Sequence, residues 1–213
     1  GIGVLAAPQT AVQWWTKAAE SEHAEALHAL SQCFRSGRGV GAPDEARALA
    51  CCRAAATFGS SAAQCRLGVR MLEGQGVPRD EADGAKWLEL AARQGAITVT
   101  TVTAPPKPDT AGVSVSPGEA TAQCWLGACC ASGRGVPKDS AAAVRWYTLA
   151  AEQGHARAQS NLAMCLSQGT GVQMDKDAAL RWCAQNQNLK LAQARLHKNT
   201  EAFRLHQPAK IVI

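Results

Sequence analysis

The chain has 213 residues, of which 46% are apolar but only 5% aromatic, so alanine and leucine carry the hydrophobic content and helices are favoured. A formal charge of +5 without any Lys/Arg-rich run excludes a strongly basic nucleic-acid footprint, although it suits an acidic partner. No apolar run reaches transmembrane length.

From the first residue a Gly-x-Gly-Val signature recurs. It stands at Gly1-Ile2-Gly3-Val4, Gly37-Arg38-Gly39-Val40, Gly74-Gln75-Gly76-Val77, Gly133-Arg134-Gly135-Val136 and Gly169-Thr170-Gly171-Val172. Successive copies lie 36, 37, 59 and 36 residues apart, and the long interval becomes 36 once residues 96–118 are set aside. Fixed periodicity of this kind predicts a repeat array in which each unit is one helix pair.

Residues 1–22 read as a half repeat, the second helix alone, so the chain is expected to be a piece or a cleaved form of something longer. Units are predicted over 23–59, 60–95, 119–154 and 155–188. In each, an apolar first helix precedes the glycines, as in Ala63-Gln64-Cys65-Arg66-Leu67-Gly68 and Ala122-Gln123-Cys124-Trp125-Leu126-Gly127. After the turn, Asp44, Asp80, Asp139 or Asp175 stands where an N-cap is needed to accept free backbone N–H groups. The second helix carries Trp14, Trp87, Trp146 or Trp182 thirteen residues after the first glycine, followed by Ala18-Ala19, Ala91-Ala92 or Ala150-Ala151. Gly59, Gly95 and Gly154 are expected to end these helices. The unit at Gly37 has one extra loop residue and places Cys51 in the tryptophan slot.

Residues 96–118 differ in kind. The β-branched run Ile97 to Thr103, then Pro105-Pro106-Lys107-Pro108, predicts a loop or a protruding β-hairpin arm. Residues 189–213 keep only Ala192 and Ala194 of the repeat pattern before Lys198, as expected of a degenerate capping helix and tail.

Nine cysteines occur without Cys-x-x-Cys or zinc-finger spacing, and Cys51-Cys52 and Cys129-Cys130 are helix neighbours that do not bridge easily. They read as small apolar packing residues. The expected setting is an intracellular reducing compartment, the cytoplasm or an organelle matrix such as the mitochondrion's. The histidines form no ligand or triad pattern, and the glycine turns lack the Lys-Ser/Thr and preceding strand of a phosphate loop. No catalytic residue, cofactor, metal or small-molecule substrate is expected, and this chain carries no membrane segment.

The run Leu-Gly-x6-Gly-x-Gly-Val-Pro-x-Asp, then Trp, Ala-Ala and Gly, resembles the Sel1-like repeat, a relative of the tetratricopeptide repeat. The resemblance covers nearly the whole chain outside 96–118 and the last twenty or so residues. It implies an all-α, right-handed superhelical solenoid of helix-turn-helix units with one non-helical insertion. It also implies a non-catalytic scaffold or adaptor for protein partners, with structural positions at Gly37, Gly39, Gly74, Gly76, Gly133, Gly135, Gly169 and Gly171 and at Trp14, Trp87, Trp146 and Trp182. A cysteine-rich subgroup staples its helix pairs by disulfides, but the cysteine beside Ala-Ala is replaced here by Ala55, Ala92 and Ala151.

Trp125 occupies a slot that holds Ala29, Arg66 and Asn161 in other units, so the fold does not require it. With Arg35, Arg66, Arg70 and Arg157, also on first helices, it forms the expected partner-binding set on the concave face. The alternative is a structural subunit of a large assembly, such as an organellar ribonucleoprotein, in which the arginines meet RNA phosphates.

Overall fold

The computed structural model describes residues 7–94 and 119–186, and every element among them is helical. In chain order these are α1 (Pro8–Glu20), α2 (Ala24–Ser36), α3 (Glu45–Thr57), α4 (Ser61–Glu73), α5 (Glu81–Arg93), α6 (Ala120–Ser132), α7 (Ser140–Glu152) and α8 (Ala156–Gln168). A ninth, α9, is described over 176–186. The expectations for the arm at 96–118, the tail at 189–213 and Gly95 lie outside the described residues.

Local chemistry sets the helix ends. Asp44, Asp80, Asp139 and Asp175 each accept the backbone N–H three residues on, at 2.8–2.9 Å, at the starts of α3, α5, α7 and α9. At the starts of the first helices, Ser60 does the same through its hydroxyl and His23 and His155 through Nδ1. The first helices end on left-handed Gly37, Gly74, Gly133 and Gly169. The second helices α3 and α7 are followed by left-handed Gly59 and Gly154.

Helices pair as α2/α3, α4/α5, α6/α7 and α8/α9 around the glycine turns, with α1 in the register of a second helix. Each second helix then packs on the next first helix, and α4 also touches α6 directly. The first helices α4 and α6 are therefore neighbours across a unit boundary.

The core runs along the stack and is built from small residues. Ala55, Ala91, Ala150, Ala63, Ala122 and Ala158 are completely buried, so neighbouring helices approach closely, and the side chains that do fill space interlock within the pairs, Leu88 against Gly68, Leu72 against Gly84 and Tyr147 against Gly127. Burial of each such leucine contributes about 1.5–3 kcal/mol.

Buried amides fasten unit to unit. Gln64, Gln123 and Gln159 on first helices donate through Nε2 to the carbonyls of Ala56, Ala92 and Ala151 at the ends of the preceding second helices, at 3.0–3.2 Å. Gln94 and Gln153 then donate to the Oε1 atoms of Gln64 and Gln123. Such carbonyls have no partner within their own helix. The backbone repeats the linkage: Ser60, Glu119 and His155 donate N–H to Ala55, Ala91 and Ala150. The bond from Glu119 falls directly after residues 96–118, so α5 and α6 stack as the uninterrupted units do.

The tryptophan slot behaves differently at the first unit. Trp87, Trp146 and Trp182 are half-buried against the core, Trp87 beside Arg53 and Thr57 of the preceding second helix. Trp14, expected in the same role, is 65% exposed. Trp87 is covered by α3 and by Leu67 and Met71 of its own first helix, and the described residues hold no helix ahead of α1. Lys17 Nζ lies 5.0 Å from the Trp14 ring instead.

Candidate interaction face

The five side chains expected to meet a partner all lie on first helices. Trp125 on α6 is half-buried, and the Arg157 guanidinium of α8 lies over its ring at 4.8 Å. A cation on an indole face contributes about 0.5–1 kcal/mol when exposed and more when dry. Two of the expected partner residues are thus joined, and the indole is fixed in orientation while part of it faces outward.

The other three expected arginines meet between α2 and α4. Arg35, Arg66 and Arg70 line one groove of about 340 Å³, together with Val69, Cys65 and Glu119. Arg66 and Arg70, at i and i+4, share a face of α4. The Arg70 side chain is only 13% exposed and pairs with Glu45 at the start of α3. One Nη1 of Arg66 and one of Arg70 are buried without a hydrogen-bond acceptor. Burial and then the charges of Arg35 and Arg70 hold the Arg66 pKa below its ordinary range, although Cys52 and Cys65 oppose this slightly.

Arg35 also lines an adjoining groove of about 660 Å³ with Trp15, His28, Gln32 and Glu25. His28 is buried, its Nε2 is 2.7 Å from Gln32 Nε2, and its Nδ1 has no partner. Burial first, and Arg66 second, push its pKa below the ordinary 6.5. Glu119 occupies the α6 start where Ser60 and the two histidines cap other first helices, yet its carboxylate makes no cap and is left to the groove.

Arg134, at a turn tip, is committed to the fold: Nε donates to Glu81 Oε1 at 3.2 Å and an Nη to the Leu72 carbonyl at 2.8 Å, which joins adjacent units. The groove residues His28 and Glu119 escaped sequence reasoning, because neither sits in a motif. Their only signal is that each breaks the pattern of its slot.

All nine cysteines are free thiols. Six are buried, and burial pushes Cys65 up to about 12 and Cys129 up to about 11, far from a reactive thiolate. Among the described residues no helix is long and apolar enough to cross a membrane, and no three His, Cys, Asp or Glu side chains converge as metal ligands.

The chain spans about a tenth of a curated relative, chitin synthase regulatory factor 3 of Schizosaccharomyces pombe, to which it is 35% identical over 95 residues, 44% of this chain. Two solved structures superpose on 84% of it with a TM-score of 0.68 each. One is a Sel1 repeat protein from Oxalobacter formigenes, 27% identical and matched over 62% of its own length. The other is a protective antigen of uropathogenic Escherichia coli strains that displays an SLR fold, 29% identical and matched over 33%. Both are solenoids of this repeat, which typically serves as a protein-interaction scaffold and is generally non-catalytic. The model of the Sel1 repeat matches residues 1–23, 24–57, 61–95, 120–155 and 156–185, and on these five matches the chain belongs to the Sel1 repeat family.

Proposed function

We propose that this chain is a non-catalytic adaptor that holds a protein partner on the row of first helices, with Trp125 at the centre of the contact. The observation that carries the reading is Trp125 itself. A half-buried indole, braced by Arg157, occupies a slot where the fold accepts alanine, arginine or asparagine. Large, oriented aromatics with a paired arginine are the residues on which binding energy concentrates. The regulatory factor in fission yeast, whose name describes action on another protein, fits the same use of the repeat. A reducing compartment suits nine free thiols.

The test is affinity capture from native extract with the intact chain, with Trp125→Ala and with residues 96–118 deleted. Trp125→Ala should lower recovery of the specific partners about tenfold or more, the effect of losing an aromatic anchor. Unchanged recovery by Trp125→Ala would remove the adaptor face from the first helices. Loss confined to the deletion would move recognition to the arm.

A further inference from the structure

We infer that the groove between α2 and α4 is a binding site for a single carboxylate of an acidic segment in the partner, received by Arg35, Arg66 and Arg70. This inference rests on the adaptor reading and gives its partner a chemistry.

Three observations carry it. The first is hydrogen bonding. Arg66 and Arg70 each keep one buried Nη1 without an acceptor, in a groove both side chains line. A guanidinium N–H that has lost water and gained nothing is costly, and native proteins leave few of them. Those two nitrogens are themselves closed off from solvent, but the Arg66 and Arg70 side chains line the groove, where a carboxylate matches the planar fork of a guanidinium with two parallel bonds. Arg66 is half-buried, so its guanidinium stays reachable from the groove.

The second is charge. Three arginines stand against two carboxylates, Glu45 paired with Arg70 and Glu119 in the groove, which leaves one excess positive charge. One carboxylate neutralises it. A phosphate monoester brings more negative charge than the groove can balance, and Glu119 repels the surplus. An RNA track would need a longer basic stripe.

The third is position. The groove lies on α4, which touches α6, and Arg66 holds in its unit the slot that Trp125 holds in the next. One extended segment can therefore place an acidic side chain on Arg66 and an apolar one on Trp125. The walls beside the arginines, Val69 and Cys65, are apolar and strengthen the charge pairing by excluding water.

The experiment uses the full chain and two immobilised decapeptide pools, identical in randomised non-acidic flanks and differing only in a central glutamate or glutamine. The intact chain should be retained preferentially by the glutamate pool. Arg66→Gln should reduce that preference about tenfold, the worth of one charge-assisted bond, and Arg66→Lys should restore it only in part because it lacks the fork. Arg35→Gln, a change at an exposed side chain, supplies the same readout if Arg66→Gln alters the far-ultraviolet circular dichroism. Equal retention on both pools overturns the inference, as does a preference that survives both variants. Stronger retention on an oligouridine decamer than on the glutamate pool overturns it in favour of phosphate recognition. Should the pools be retained equally while Trp125→Ala still abolishes partner capture, the adaptor reading stands without the carboxylate site. Should Trp125→Ala change nothing either, both fall.

Discussion

Gly76 and Gly135 occupy the same turn position in successive units and have nearly the same left-handed backbone, φ +68° and +69°. A methyl group at either site therefore meets the same conformational penalty, about 1–2 kcal/mol. Their surroundings differ. A Cβ on Gly135 would overlap the Glu81 carbonyl at the first turn of α5 and lie 3.1 Å from the Ala82 nitrogen, whereas a Cβ on Gly76 meets nothing within 4 Å. Gly39 and Gly171 abut Pro8 and Ser140 in the same way as Gly135 abuts Glu81. Gly76 is the exception because it faces the unit with the longer loop, in which α3 starts eight residues after Gly37 instead of seven. Gly135→Ala must push backbone apart between two units, which adds a further 1–3 kcal/mol, roughly the cost of overpacking. We therefore expect a loss of about 1–2 kcal/mol for Gly76→Ala and about 2–5 kcal/mol for Gly135→Ala. Urea titrations followed by circular dichroism read the midpoints. Because the collision is at a unit interface, Gly135→Ala should also broaden or split the transition, as nearest-neighbour coupling weakens. Equal losses for the two variants would refute the claim that the second glycine of the turn is required by contact between units as well as by its backbone angle.

Gln123→Ala should cost about 1–3 kcal/mol, the penalty of a buried group left unpaired, because the Ala92 carbonyl loses its partner; a urea midpoint no lower than that of Gln153→Ala would contradict the pinning role. Ellman's reagent should modify at most Cys183, Cys51 and Cys165 quickly in the native chain, with the six buried thiols reacting only on unfolding. Four or more fast thiols would show a looser core. His28 has a folded pKa below its ordinary 6.5, caused by burial and then Arg66, while Glu25 and Glu119 oppose the shift. The unfolded state thus takes the proton more readily, so the contribution is present above about pH 6.5 and is lost as pH falls through the folded value. The melting temperature should drop between about pH 7 and pH 5 and drop less in His28→Gln; identical pH profiles would remove His28 as the cause.

The repeat unit was legible because it repeats a local physical demand. An aspartate three residues ahead of a free N–H and a left-handed glycine at a helix end act over a few residues, and four copies in register make chance agreement implausible. The paired alanines were equally readable, since close helix approach demands small side chains at one spacing. Trp14 was not, because burial of that slot is supplied by the two helices ahead of it and not by the helix that carries it. The glutamines inside the apolar motif looked incidental, and their task shows only when the carbonyl they hold, eight or more residues away, is brought alongside. The task of Arg134 is hidden for the same reason: its partners, Leu72 and Glu81, lie more than fifty residues earlier.

The face on the first helices divides along the same line. Trp125, Arg35, Arg66, Arg70 and Arg157 were identifiable as residues the repeat does not need, which is a property of aligned slots within the sequence. Which of them meet was decided by the stacking of units: Arg157 comes to Trp125 across one interface, and Arg35 comes to Arg66 and Arg70 across another. The sequence by itself determined the helix pair, its caps, its turns and its period, since these depend on neighbours a few residues apart. The grouping of charges, the unpartnered guanidinium nitrogens and the groove that holds them depend on distances between residues thirty or more positions apart, and only the tertiary packing of one unit on the next establishes those.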